Sequence, residues 1–392
     1  MDVAPILPHL ANTRLTDLTL QLTMDAKAVI DIFRERCPAV ENFHVSLRAH
    51  GHAETISDLV CNWQKLRSVQ CFHIHLTVDA ITHLARSRHL VSLHFRLDDA
   101  VIDQIGSSLS LQTFSVLRDL NINSPSLTLV RRFLHHLRAP VVQDIFVGLH
   151  AHPTASELMA FPVVLQETCT SNSLITLLLR VFEDRNQSTT VISTDNSLSY
   201  YLTFEGLGPL TSFVNIQSII LDLPCGTDLN QRELLSLASS WPRLEHFEVA
   251  RNRDWTSQSA ITPAGFVQLL ERCRSLRTLY FMFDTRGFTE IPQGHPWRGV
   301  TMPKGSFIHL LNSPIEEESI VALGVFFHVA PYPSFNLTTH WNNPFYQGRE
   351  RPQELCDLYY NRWVKARALA SDLWKERKEL RRSLEERSKS HL

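Results

Sequence analysis

His73 and His75 stand two residues apart, and His94 follows about one repeat later. Side chains two apart on a strand share a face, so the three imidazoles form a candidate zinc site. Zinc prefers four nitrogen or sulfur ligands, or three and a water, and no carboxylate or thiol joins this trio in the sequence. With 19 histidines in the chain, chance proximity is the stronger reading, and no metal is expected. His135 and His136 are adjacent on a helical pattern and cannot face one ligand together. The seven cysteines form no C-x-x-C pair. A phosphate-binding G-x-x-x-x-G-K-[ST] loop and a G-x-S-x-G nucleophile elbow are both absent, and Gly206-Leu207-Gly208 is too short for a dinucleotide loop. The expectation is a non-catalytic protein with no cofactor.

What would position such residues is a repeating unit. An apolar-x-x-apolar-x-apolar pattern returns roughly every 25 to 30 residues. It starts at Leu15, Leu18, Leu20 and runs through Val40, Leu66, Leu90, Leu117, Val142, Leu174, Ile216 and Leu244 to Leu276, Leu279, Phe281. Each repeat begins with two-residue alternation and ends with helical spacing, so it reads as strand, turn, helix. Such units stack because none can bury its apolar face alone. The fold class expected is α/β: a leucine-rich-repeat solenoid with a curved parallel sheet of about ten to twelve strands, outer helices and a C-terminal cap helix. Its inner face would be on the order of 50 Å long.

Helix starts are written locally. Ser124-Pro125 and Thr262-Pro263 each set a capping hydroxyl before a proline suited to a first turn, and Asn230 with Glu233 forms a capping box. The polar stretch at about 184–200 and the Pro/Gly-rich stretch at about 285–305 interrupt the rhythm and read as insertions in a solenoid over 1–341. Beyond it, 342–392 reads as a cap helix with an apolar stripe (Leu355, Leu358, Tyr359, Trp363, Ala366, Leu369, Leu373) and a polar, solvated or frayed tail.

The chain of 392 residues carries a net charge of −2, which does not favour nucleic acid as a partner. No run of 18 or more apolar residues suggests a membrane span, and Met1–Leu10 shows no secretory signal. An odd, scattered set of thiols fits a reducing compartment, so a cytoplasmic or nuclear protein is expected, and the sequons at Asn186 and Asn336 carry no weight.

Alternation also gives the residues that face away from the core: Thr19, His44, Gln70, His94, Asn121, Phe146, Leu178, Ile220, Glu248 and Tyr280. A flanking row includes Asp17, Asn42, Ser92, Arg96, Asp119, Asn123, Asp144, Arg180, Asp222, His246 and Met282. The early members are polar, whereas Phe146, Leu178 and Ile220 place large apolar groups where water is expected. The candidate protein-binding site on the concave face is therefore Phe146, Leu178, Ile220 and Tyr280, with Arg180, Asp222, Glu248 and Met282 around them. The competing reading is that the 184–199 insertion or the chain ends cover this patch.

Three stretches carry a resemblance: Tyr201–Phe213, Thr262–Cys273 with Leu276 and Leu279, and Asn312-Ser-Pro-Ile315 followed by Ile320-Val-Ala322. In this order they resemble fungal, mushroom-type F-box proteins with degenerate leucine-rich repeats, over about Leu15 to Trp341. The resemblance implies a last repeat with a strand at Phe335 and Leu337, bringing the strands to about twelve. It further implies substrate capture for a Skp1–cullin–F-box ubiquitin ligase. The F-box pattern itself is not seen, since Ile6-Leu7-Pro8-His9-Leu10 does not match, so Skp1 is expected as a partner only if an F-box lies upstream. The alternative is a stand-alone repeat scaffold or inhibitor. A regulator of a small GTPase and a hydrolase built on His73, His75 and His94 rank below these.

Overall fold

A computed structural model describes residues 11–22, 27–47, 52–108, 112–182, 201–223, 225–249, 261–290, 300, 302–303, 305–329, 335–339, 341 and 352–390. The expected insertion at 184–200 and most of that at 285–305 lie outside them. The chain is α/β with a solenoid-like repeat architecture, and twelve strands take part in its main parallel pairing. It divides into two compact units, Met1–Asn196 with Glu205–Ile216, and Ser197–Phe204 with Gln217–Leu392.

In the first unit the elements are β1 (Asp17–Leu22), α1 (Lys27–Arg36), β2 (Asn42–Leu47), α2 (Ala53–Asn62), β3 (Ser68–His75), α3 (Val78–Arg86), β4 (Ser92–Arg96) and α4 (Asp99–Ser108). There follow β5 (Gln112–Thr113), β6 (Asp119–Ser124), α5 (Leu127–His135), β7 (Leu137–Arg138), β8 (Asp144–Leu149), α6 (Ala155–Thr168), β9 (Thr176–Val181) and most of the single-turn α7 (Phe204–Leu207). Strands β1-β2-β3-β4-β6-β8-β9 are hydrogen-bonded in that order, all parallel. One device recurs at each strand entry: a carbonyl just before a strand accepts two successive N–H groups of the next repeat. The Thr16 carbonyl takes Glu41 and Asn42, that of Glu41 takes Arg67 and Ser68, and those of Arg67, Val91, Arg118 and Gln143 continue the series.

The tetrad side chains are the core. Leu18, Phe43, Val69, Leu93, Leu120, Ile145 and Leu177 stand in register and are buried. Helices cover this side, as Trp63 on Phe43 (5.0 Å) and Phe133 on Phe95 (5.3 Å) illustrate. Buried donors are satisfied across repeats: Trp63 Nε1–H donates to the Cys37 carbonyl at 2.7 Å, and the Thr168 hydroxyl donates to the Leu134 carbonyl at 3.2 Å.

In the second unit the elements are β10 (Tyr201–Thr203), β11 (Ser218–Asp222), β12 (Gly226–Asp228), α8 (Gln231–Ser240), β13 (His246–Val249), α9 (Pro263–Arg272), β14 (Thr278–Tyr280), β15 (Ser306–His309), α10 (Ser319–Val329), β16 (Phe335–Thr338) and α11 (Gln353–Ser390). Strands β11-β13-β14-β15-β16 pair in parallel, and the same entry device appears at Gln217 and Glu245. β15 is a strand the repeat pattern hides. Leu279 pairs with Ile308, which puts Gly305 at the lead apolar position, and Gly305 has φ +81. A backbone of that hand favours glycine over any apolar side chain, so the pattern is erased there.

Two expected caps are found: Thr262 Oγ1 accepts the Gly265 N–H ahead of Pro263, and Asn230 with Glu233 makes the full capping box. The third is corrected. Ser124 ends β6, its hydroxyl donates to the Ser126 carbonyl at 2.8 Å, and Ser126 caps α5 instead. In α11 the expected stripe packs, with Trp363 and Ala366 buried and Leu355, Tyr359, Leu369 and Leu373 partly buried; only Leu358 is exposed, and Cys356 and Ala370 are buried in addition. Gly324 of α10 makes room for Leu369, since a Cβ there would lie 2.7 Å from its Cδ2. Trp363 Nε1–H and Trp341 Nε1–H both donate to the Ser313 carbonyl at 2.9 Å. The polar end is not frayed: it stays helical to Ser390 and exposed from Lys375 to Ser388.

Candidate functional site

The face of each sheet opposite the helices is where the candidate residues stand. In the first unit the expected central row is continuous in register: Thr19, His44, Gln70, His94, Asn121, Phe146 and Leu178 pair side by side. All of them are partly exposed or exposed. Four strands make the informative grid. Towards the strand starts lie Ser92, Asp119, Asp144 and Thr176; in the middle His94, Asn121, Phe146 and Leu178; towards the ends Arg96, Asn123, Gly148 and Arg180.

At β4 and β6 the grid is knitted to itself. His94 Nε2 lies 2.6 Å and Ser92 Oγ 2.8 Å from the same oxygen, Asp119 Oδ2. Both donors converge on one acceptor, so the serine proton points to the carboxylate and not to an imidazole lone pair. That is a structural network and not the relay of a nucleophilic serine. Burial alone would raise the Asp119 pKa, but hydrogen bonds and charge from His94, and the Ser92 hydroxyl, carry it below the ordinary aspartate value. Phe72 closes this corner: its ring lies 5.0 Å from His94, and its carbonyl accepts Asn123 Nδ2–H at 2.9 Å. A register shift in β3 between Cys71 and His75 places it there. The same shift leaves His73 exposed and sets His75 beside Arg96, so the candidate trio of histidines does not converge. Among the described residues no group of three or more His, Cys, Asp or Glu side chains is arranged to hold a metal.

At β8 and β9 the grid is different. Phe146 and Leu178 are adjacent and partly exposed. Beside them the Phe182 ring lies over Gly148, where a Cβ would collide with Phe182 and come within 2.6 Å of Asn123 Oδ1. Gly148 is thus a floor on which an aromatic ring, 43% exposed, lies down. Phe182 follows the last residue of β9, one step of two beyond Arg180 on the same face, and the glycine within an apolar strand was a second signal for it. Asp144 and Arg96, on opposite margins, make no hydrogen bond or ion pair among the described residues.

No family model matches the chain, and no curated protein does either. The geometry therefore carries the reading by itself.

In the second unit the candidate row Ile220, Glu248 and Tyr280 is again in register and continues to His309 and Thr338. Its exposure is not what alternation predicts. Glu248 (6%), Asp222 (8%), Met282 (3%) and His309 (8%) are buried, so these candidates present no open surface. Ile220 and Tyr280 are partly exposed, and the Tyr280 ring stacks on that of His309 at 5.0 Å and 8°. The Leu311 N–H donates to His309 Nδ1 at 3.0 Å, which fixes the other ring nitrogen as the protonated one in the neutral imidazole. Leu311 is the one non-glycine described at positive φ (47°), and this bond helps hold it.

The thiols are structural. Burial pushes Cys169 and Cys273 up to about 12, and raises Cys71 further. No described helix is long and apolar enough to cross a membrane.

Proposed function

We propose that the chain is a non-catalytic protein-binding module whose working surface is the open sheet face of the first unit, centred on Phe146, Leu178 and Phe182. The observation that carries this is one patch: two large apolar side chains in register on adjacent strands, and an aromatic ring laid beside them over Gly148. Exposed apolar groups on a rigid sheet, rimmed by polar ones, are what a partner desolvates on docking. The test is a Phe146→Ser, Leu178→Ser double variant, compared with the parent in quantitative affinity capture from cell extract. Partners held by the parent and lost by a variant of unchanged melting temperature support the reading; identical capture, or loss only through unfolding, sinks it.

We further propose, on the three stretches of resemblance, that the captured protein is a substrate of a Skp1–cullin–F-box ubiquitin ligase, in the cytoplasm or nucleus. Seven free thiols suit such a reducing compartment. Binding of the full chain to purified Skp1 would support this role. No binding would leave a stand-alone scaffold or inhibitor acting through the same face.

A further inference from the structure

The helices of the first unit hold a second surface, on the side away from the open sheet face. We propose that the groove between α5 and α6 binds a segment of another protein that presents one carboxylate beside apolar side chains.

A helix packed on a sheet turns its apolar side inward and a polar side to water. α5 does so: Thr128, Arg131, Arg132 and His135 are exposed or partly exposed, while Val130, Phe133 and Leu134 are buried. α6 does not. It buries Leu158, Phe161 and Leu165, yet it also exposes Met159 (45%) and Val163 (42%), which stand one turn apart on another side. Between the two helices lies a groove of about 230 Å³, lined by Thr128, Arg131, Arg132, His135, His136 and Val164. Val164, next in the chain to Val163, joins the groove to this apolar stripe.

The charges in and around the groove are committed, with one exception. Arg132 pairs with Asp103 at 2.8 Å, His135 Nδ1 faces Glu167 Oε2 at 3.6 Å, and Glu157 accepts from Thr128 and Thr154. Arg131 Nε is buried and has no hydrogen-bond partner among the described residues. A buried guanidinium N–H without an acceptor costs stability, and an acceptor brought by a ligand removes that cost. Nε–H and a neighbouring Nη–H form a parallel pair that matches the two oxygens of a carboxylate. One free guanidinium beside an apolar wall suits a singly charged group with apolar neighbours, whereas a phosphate dianion calls for more donors. The occupant's carboxylate therefore sits on Arg131, and its apolar side chains on Val164, Val163 and Met159.

The probe is a phage-displayed library of random dodecapeptides, panned on the full chain and counter-screened on Arg131→Gln. Expected is a consensus with an Asp or Glu within four residues of two apolar ones. A synthetic peptide of that consensus should bind about tenfold more weakly to Arg131→Gln, as for the loss of one charge-assisted bond. Arg131→Lys should lose as much, because an ammonium lacks the paired N–H groups. The Met159→Ser, Val163→Ser variant changes only exposed side chains, so it keeps its melting temperature and should also bind about tenfold more weakly. The Phe146→Ser, Leu178→Ser variant should bind the peptide as the parent does, so this groove and the sheet face fail independently. No enrichment, a consensus without the acidic residue, or affinities within about twofold across the groove variants overturns the proposal. Binding more than about tenfold tighter when phosphoserine replaces the acidic residue also overturns it, and makes the groove a phosphate site.

Discussion

The sheet faces of the two units are built by one rule and differ in how far they are covered. In both, a single row of side chains runs in register across parallel strands on the side away from the helices. In the first unit that row is accessible, and its charges lie at the margins. In the second it is partly closed: Glu248 and His309 are buried, as are Asp222 and Met282 beside them, while Ile220, Tyr280 and Thr338 stay partly exposed. A buried carboxylate or imidazole is tolerated only where hydrogen bonds replace water, so the second face is packed at Glu248 and His309 and offers less continuous open surface. Strand alternation tells which side of a sheet a residue occupies. It does not tell whether that side meets water.

The sharpest way to break this contrast is to truncate one apolar residue on each face. Met282→Ala should cost about 2–5 kcal/mol in urea denaturation, as for a packed methionine. Phe146→Ser should cost about 1 kcal/mol or less, since its surroundings already admit water. Equal costs would mean that both faces are core, and the proposed binding surface would be lost.

Next in size is the glycine floor. Gly148→Ala forces a methyl into the space of the Phe182 ring and should cost about 1–3 kcal/mol. Adding Phe182→Ala removes the ring and leaves only the Asn123 amide oxygen in the way, so the two changes together should cost less than their sum. A double-mutant cycle measures this, and strict additivity would show that the ring does not rest there in solution.

A third comparison uses the two capping boxes, Thr154 with Glu157 and Asn230 with Glu233. Glu157 does more than close its own helix. Its Oε1 also accepts the Thr128 N–H at 3.0 Å and the Thr128 hydroxyl, joining α6 to the start of α5. Losing either cap should cost about 1 kcal/mol, and Glu157→Ala should exceed Glu233→Ala by a further ~1 kcal/mol for the inter-helix bonds. A larger loss for Glu233→Ala in thermal melts would reverse the assignment.

Most of the repeat architecture was legible because the buried tetrads recur in order along the chain, and the order Leu18, Phe43, Val69, Leu93 is the order of the strands. β15 was not legible, because its lead position is Gly305 and carries no apolar signal. The site was half legible. Phe146, Leu178 and Arg180 were found from alternation, but Phe182 lies just past the end of β9 and rests on the face only because Gly148 has no side chain. Glu248 and Asp222 look solvent-facing by charge and by register. Their burial depends on tertiary covering, which no local pattern encodes.

The smallest effect tests whether the polar half of the first face is as self-contained as its hydrogen bonds imply. Asp119 has its pKa lowered in the fold, against the opposing pull of burial, by His94 and Ser92. A group whose folded pKa lies below its unfolded value stabilises the fold above the unfolded pKa, about 3.9 for aspartate, and that stabilisation fades as pH falls through the lower, folded pKa. Asp119→Asn should therefore lower stability by about 1 kcal/mol between pH 5 and 6, and the gap to the parent should close as the pH falls below about 4. Urea midpoints of both proteins from about pH 6 to pH 2.5 measure it. A gap that persists unchanged to the acid end would mean that the amide variant loses something other than the charge. No gap at pH 6 would mean that Asp119 is not committed to its neighbours; it would then be as available to a partner as Asp144, and the acidic margin of the face would hold two open carboxylates instead of one.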